Sequence, residues 1–231
     1  MDDGFDGRWE PEGGKTEMNR KVFVFELLMI AAALAVTIVL WPHLQGQVTT
    51  HWNLQGQPDG HGARWELFLM GPGFMGAWML MTWLFPWLSP KRFGMDSFWS
   101  TYRRVMAMMF CLIVYAYTVV LWEGLGHAVD GSRAILGGVC LFTVLAGNLM
   151  GKVRQNFFIG VRTPWTLASE RVWNATHRFA ARTFVAGGLA GLVLSFLGIG
   201  MYPVIALLGG MLAPVAYSLV IYKQLERRGE L

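Results

Sequence analysis

The stretch that decides the fold is VFVFELLMIAAALAVTIVLW, residues 22–41, in which Glu26 is the single charged side chain. An α-helix rises about 1.5 Å per residue, so about 20 apolar residues cross a hydrocarbon core of about 30 Å. The stretch therefore predicts a membrane-spanning helix. Because it is longer than the apolar core of a signal peptide, we interpret it as an anchor that stays in the protein.

The composition of the whole chain agrees with this prediction. Of its 231 residues, 54% are hydrophobic and only 15% are charged, against roughly 25% charged residues in soluble domains. These values exclude an ordinary soluble domain and a disordered chain. Cys111 and Cys140 both lie inside apolar runs, which argues against a disulfide framework and a redox motif. No cofactor-binding motif is recognised.

Five further apolar stretches are long enough to approach the thickness of a bilayer. They lie at 67–88, 104–123, 134–151, 179–199 and 202–222. We therefore predict an all-α membrane protein with six transmembrane helices. A single domain would cover 20–231, preceded by a disordered cytoplasmic tail at 1–19.

The distribution of Lys and Arg predicts the orientation of these helices. Of the 19 cationic residues, 17 lie before the first span, after the last one, or in the second and fourth connections and the span ends next to them, whereas Arg64 and Arg133 lie on the other side. Cytoplasmic segments retain the excess of Lys and Arg. Both termini are therefore predicted to be cytoplasmic, and the net charge of +4 reflects membrane topology rather than nucleic-acid binding.

The outer connection 42–66 is rich in histidine and contains QGQPDGHG, residues 55–62, which predicts a turn because Pro and Gly favour turn geometry. Imidazole and carboxylate groups are suitable zinc ligands. The candidates on this side are His51, His61, Glu123 and His127, and Glu123 and His127 would share a helix face at their i,i+4 spacing. Their spacing matches no standard ligand pattern, so the favoured interpretation is a set of hydrogen-bonded loop residues without a metal.

The cytoplasmic connection 152–178 predicts an ordered element. Thr163 followed by Pro164 is typical of an N-cap with proline at the first helical position. An apolar stripe from Trp165 to Phe179 then predicts an interfacial helix that lies on the inner leaflet or turns back into the bundle before the fifth span. Lipid anchoring and recognition of a partner both remain open, and the polar groups of Asn156, Arg162, Asn174 and His177 favour recognition.

The sequence GNLMGKVRQNFFIGVRTPWTLASERVWNATHR, residues 147–178, resembles the signature of the SdpI family of bacterial toxin-immunity membrane proteins. The matching positions that we take as a binding or signalling motif are Asn148, Asn156, Gly160, Arg162, Thr163, Pro164, Trp165, Thr166, Trp173 and His177. THWNLQGQPDG, residues 50–60, is similar to a short domain of unknown function that precedes this signature. Its matching positions are His51, Asn53, Gly56, Pro58 and Asp59.

The resemblance implies a function in the bacterial cytoplasmic membrane. It implies protection against a secreted membrane-active peptide toxin, by a protein that is not an enzyme and holds no cofactor. It also implies a receptor that keeps a cytoplasmic transcriptional repressor at the membrane. The toxin and membrane lipids would meet the outer loops or the lipid-facing surface, and the segment from Arg162 to His177 would face the cytoplasmic partner.

Two other classes of function stay open at this point. A small ion- or proton-coupled transporter would use Glu26, because a carboxylate within a span is a functional candidate. The structural alternative is that Glu26 pairs with Arg103 or Arg182. A metal-dependent membrane enzyme would use the outer histidines. Asn148, the other polar group within a span, is predicted to hydrogen-bond a neighbouring helix or the cytoplasmic segment.

Overall fold

The structure is a computed structural model that describes residues 12–53, 57–90 and 98–231, with side chains described from residue 19 onward. Its α-helices are α1 (Glu12–Leu40), α2 (Phe74–Leu88), α3 (Trp99–Gly124), α4 (Gly131–Met150), α5 (Pro164–Ala168), α6 (Glu170–Phe196) and α7 (Tyr202–Arg228). Two strands, β1 (Gln47–Trp52) and β2 (Pro58–Ala63), lie between α1 and α2, and a π-helical turn at Leu69–Gly73 leads into α2.

Six helices of the described residues, α1 to α4, α6 and α7, are long and apolar enough to cross a membrane. This confirms the predicted six-span membrane fold. An even number of spans leaves the two termini on the same side, where the Lys and Arg excess indicates the cytoplasm. Residues 1–11 of the predicted disordered tail lie outside the described residues, and α1 already begins at Glu12.

The helices pack as two groups joined through α3 and α4. In the first group, α1 and α2 contact α3, and in the second, α6 packs between α4 and α7. A Cβ atom added to Gly187 would come within 3.0 Å of the Gly210 Cα atom, so small residues allow the backbones of α6 and α7 to approach closely. The first group has its own apolar core, which includes Met75, Phe110 and Tyr117.

The outer connection forms a β-hairpin rather than an irregular loop. Strands β1 and β2 pair antiparallel, and the Asn53 side-chain oxygen accepts a hydrogen bond from the Gln57 N–H (2.9 Å) across the connection between them. The predicted turn at 55–62 is wrong from Pro58 onward, where β2 begins, and residues 55 and 56 lie outside the described residues. Val48 is buried against the core of the first helix group, and the Thr49 hydroxyl donates to Glu123 (2.8 Å), so the hairpin is seated on the outer end of α3.

A buried pair of opposite charges lies inside the first helix group. Glu26 and Arg103 are 0% and 1% exposed, and among the described residues the structure gives neither the Glu26 carboxylate nor the Arg103 guanidinium a hydrogen-bond partner. The Arg103 guanidinium carbon also lies 4.5 Å from the centre of the Trp83 ring. Arg182, the other partner considered for Glu26, is exposed. Of the two partners considered, only Arg103 is buried like Glu26, which favours Arg103 as its counter-charge.

We expect Glu26→Leu and Arg103→Leu each to destabilise the protein by about 3 kcal/mol, because each leaves an uncompensated buried charge. The double variant should be more stable than either single variant, since it removes both charges. Unfolding in a mixed-detergent titration, followed by tryptophan fluorescence, measures these differences. Arg182→Leu is the matched control at an exposed position, and additive losses in the double variant would contradict the pairing.

Candidate functional site

The connection between α4 and α5, residues 151–163 and here called the signature loop, folds back against the cytoplasmic ends of the helices. Val153 and Val161 are buried in a second apolar core, together with Met106 of α3 and Trp173 of α6. The ring of Phe158 stacks on Phe85 of α2, with centroids 4.6 Å apart. The loop therefore contacts helices of both groups.

Asn156 organises the middle of the signature loop. Its side chain is 0% exposed, and its amide group donates to the carbonyl oxygens of Arg154 and Ile159, both at 2.9 Å. Its side-chain oxygen accepts from the backbone N–H groups of Phe158 (2.8 Å) and Ile159 (2.7 Å). One asparagine thus satisfies four backbone groups that would otherwise lack partners next to the membrane.

His177 fixes the end of the signature loop to α6. Its Nε2 atom accepts a hydrogen bond from the Val161 N–H (3.1 Å), and its Nδ1–H donates to the Trp173 carbonyl oxygen (2.9 Å). A backbone N–H only donates and a carbonyl only accepts, so the imidazole is neutral with its proton on Nδ1. The ring is 1% exposed, and both of its nitrogens have hydrogen-bond partners.

Trp173 makes the second bond between α6 and the loop. Its indole N–H donates to the Val153 carbonyl oxygen (2.8 Å), and its ring stacks on His177 with centroids 4.0 Å apart. Gly160 lies directly against His177. Its φ is +109°, and a Cβ atom added to it would lie 2.2 Å from His177 Nε2. The loop approaches the histidine this closely only because residue 160 has no side chain.

Thr163 caps α5 as the sequence predicts. The Thr163 N–H donates to the Thr166 hydroxyl (2.9 Å) and the Thr166 N–H donates to the Thr163 hydroxyl (3.2 Å), which is a reciprocal capping arrangement. However, α5 ends at Ala168 and α6 begins at Glu170. Only the start of the apolar stripe forms a separate helix, which has five residues, and the rest of the stripe packs into the bundle as the cytoplasmic end of α6, which is the second of the two predicted placements.

Two residues that the sequence did not single out complete the scaffold. Gln155 donates from its amide to the carbonyl oxygens of Thr166 (2.7 Å) and Leu167 (3.0 Å), which fastens the loop to the end of α5. Ser218 of α7 shares a hydrogen bond of 3.0 Å with the Thr163 hydroxyl. Ser218 is the one serine or threonine of α7, and this was the available signal for its role; Gln155 carries no such signal.

Other residues of the motif lie on the surface. Arg162 and Pro164 are exposed and Trp165 is half-buried, and the Arg162 guanidinium donates to the Phe157 carbonyl oxygen. Asn148 is also exposed and donates to the Val144 carbonyl oxygen (3.2 Å) of its own helix. The expectation that Asn148 bonds a neighbouring element is therefore wrong for the contacts described.

The outer motif residues lie on the hairpin, away from the signature loop. His51 pairs with Asp59 across the strands, with side chains 71% and 44% exposed. Asn53 closes the hairpin and Pro58 begins β2, whereas Gly56 lies outside the described residues. These residues support the hairpin's shape, and their exposed side chains face the outer side.

The possible zinc ligands are not gathered into one cluster. His61 and Glu123 line a cavity of about 410 Å³, but His51 pairs with Asp59 and His127 stacks on Trp122. The predicted shared helix face of Glu123 and His127 is wrong, because α3 ends at Gly124. Within the described residues, no three His, Cys, Asp or Glu side chains come together as a metal site.

The fold and this site define a multi-pass membrane protein whose signature loop is ordered and packs against the cytoplasmic ends of its helices. Residues 152–222 match the model of the SdpI/YfhL protein family, and residues 28–76 match a domain of unknown function, DUF1648. The first region covers the signature loop, α5, α6 and most of α7, and the second covers the hairpin. These matches confirm the resemblance that the motifs indicated.

One similar protein is the immunity protein SdpI of Bacillus subtilis (strain 168), with 40% identity over 88 residues. That match covers 38% of this chain and 42% of the relative, so the chain aligns with less than half of that protein. No solved structure matches the chain.

We expect Gly160→Ala to disrupt the signature loop, because it combines a positive φ with a steric clash against His177. The variant should become cleavable by an added protease at residues 151–163 while its transmembrane helices stay folded. Gly151→Ala is the matched control, since an added Cβ there meets nothing within 4 Å. Equal protease resistance of both variants would contradict the tight contact.

Proposed function

We propose that this chain is an immunity protein that protects a bacterium against a secreted membrane-active peptide toxin. The observation that carries the proposal is the 40% identity to the immunity protein SdpI of Bacillus subtilis, together with the family match across the buried scaffold. The proposal makes the chain a binding protein rather than an enzyme. Its location would be the bacterial cytoplasmic membrane, with the hairpin outside.

The division of the motif into buried and exposed residues supports two different roles. Asn156, Thr166, Trp173 and His177 are each no more than 1% exposed, and their polar groups bond the chain's own backbone. They act as positioning residues. Asn148, Arg162 and Pro164 are exposed and Trp165 is half-buried, so these are the motif residues that a partner could touch.

The exposed surface of the signature loop is positively charged. Lys152, Arg154 and Arg162 are all exposed, and there is no Asp or Glu between residues 147 and 169. A cationic surface of this kind suits an acidic partner in the cytoplasm. A transcriptional repressor held at the membrane is the partner class that fits the proposed receptor role.

A toxin would act from the opposite side or within the bilayer. The hairpin exposes His51 and Asp59 outside, while the signature loop is reached only from the cytoplasm. The site that meets the toxin and the site that meets the cytoplasmic partner would thus be distinct, as a receptor requires. The transporter alternative depends on Glu26, and the Arg103 counter-charge supports a structural role for that carboxylate instead.

The test is survival of a toxin-sensitive bacterium that expresses the chain and is exposed to secreted peptide toxins of related strains. We expect the wild type to preserve growth and membrane potential. Arg162→Ala should reduce protection about tenfold or more, because loss of one interface arginine costs over about 1.4 kcal/mol. Trp165→Ala should also reduce it.

Arg228→Ala, an exposed arginine at the cytoplasmic end of α7, is the matched control and should protect as well as the wild type. Immunoblotting of membranes checks that all variants reach equal levels. Full protection by Arg162→Ala and Trp165→Ala would show that protection does not depend on these two side chains. Absence of protection by the wild type against every toxin would refute the immunity function itself.

A further inference from the structure

A long apolar groove runs along the lipid-facing side of the bundle where α3 and α4 meet. Its volume is about 1100 Å³, and its lining includes Met108, Cys111 and Leu112 of α3 and Leu141 and Leu145 of α4. The groove follows α4, which has 20 residues and is therefore about 30 Å long. It thus extends through both leaflets.

The two ends of this α3/α4 groove differ in charge. At the cytoplasmic end the lining includes Arg104 and the Asn148 side chain, both exposed. At the outer end Arg133 lies 3.3 Å from the Asp130 carboxylate, which offsets its charge. Asp130 is the only carboxylate among the described residues that line the groove. The cytoplasmic end therefore carries a positive charge that no lining carboxylate offsets.

We propose that the α3/α4 groove binds an anionic phospholipid of the inner leaflet. Its acyl chain lies along Leu141, Leu145 and Met108. Its phosphate group contacts the Arg104 guanidinium and the Asn148 amide, which are a cation and a polar group at headgroup depth. Selectivity for anionic headgroups resides at the cytoplasmic end, because the outer end is neutralised by Asp130.

The small residues of α4 make room for the acyl chain of the lipid. At Gly137, an added Cβ would find its nearest neighbour, the Ser195 hydroxyl oxygen, at 3.9 Å, so this stretch of the groove wall is open. Tyr115 packs against Gly138 and donates to the Ala134 carbonyl oxygen (3.0 Å), which satisfies its hydroxyl without a ligand. The middle of the groove therefore offers apolar contact, as an acyl chain requires.

Native mass spectrometry of the full-length protein in detergent tests this site with phosphatidylglycerol and phosphatidylcholine as probes. The wild type should retain phosphatidylglycerol about fivefold better, the effect of one arginine near an anionic headgroup. Arg104→Gln should abolish that preference. Arg182→Gln, an exposed arginine on α6 outside the groove lining, should keep it.

Gly137→Leu supplies an independent test, since its side chain would occupy the groove. It should reduce retention of both lipids, whereas Gly209→Leu on α7, where an added Cβ meets nothing within 4 Å, should not. Circular dichroism checks that each variant is folded. Equal retention of the two lipids by the wild type, or an unchanged preference in Arg104→Gln, would overturn the proposal.

A peptide in this groove is a distinguishable outcome. If Gly137→Leu lost protection against toxin while phosphatidylglycerol retention stayed at the wild-type level, the groove would be a peptide site and the lipid proposal would be wrong. The lipid measurement involves no toxin. Its result therefore stands apart from the success or failure of the proposed immunity function.

Discussion

The bond from the Val161 N–H to His177 Nε2 is the constraint on which the cytoplasmic half of the structure depends. Buried backbone groups at the edge of a bilayer need internal partners, and an irregular loop cannot supply them from its own backbone. His177 accepts from the loop and donates to α6, while Asn156 satisfies the neighbouring turn. The loop can therefore be irregular in shape and still fixed in position.

This fixed loop connects the two groups of helices. Trp173 and Thr163 attach it to α6 and α7, and Phe158 stacks on α2. On the lipid-facing side the same two groups meet more openly, along the α3/α4 groove. The architecture thus joins the helices firmly at the cytoplasmic end and leaves a surface within the bilayer where a lipid can lie.

The sequence predicts the membrane fold well because hydropathy and the Lys and Arg distribution act over whole segments. The Thr163–Pro164 cap is also predicted, since its signal is local. The hairpin was missed because Pro and Gly at 56–62 indicate a turn, whereas β2 is held by pairing with β1 and by the contact of Val48 with α3. The roles of Gln155 and Ser218 depend on contacts distant in sequence, which spacing alone does not reveal.

The measurement that tests this account most directly is amide hydrogen exchange of the full-length protein in lipid nanodiscs, followed at residues 158–161. If the signature loop is a rigid scaffold, the amides of Phe158, Ile159 and Val161 will exchange as slowly as those in the cytoplasmic turns of α6, because each donates to a buried side chain. Exchange as fast as that of the exposed connection at 126–128 would contradict the account. The loop would then be mobile, and its buried residues could not position Arg162.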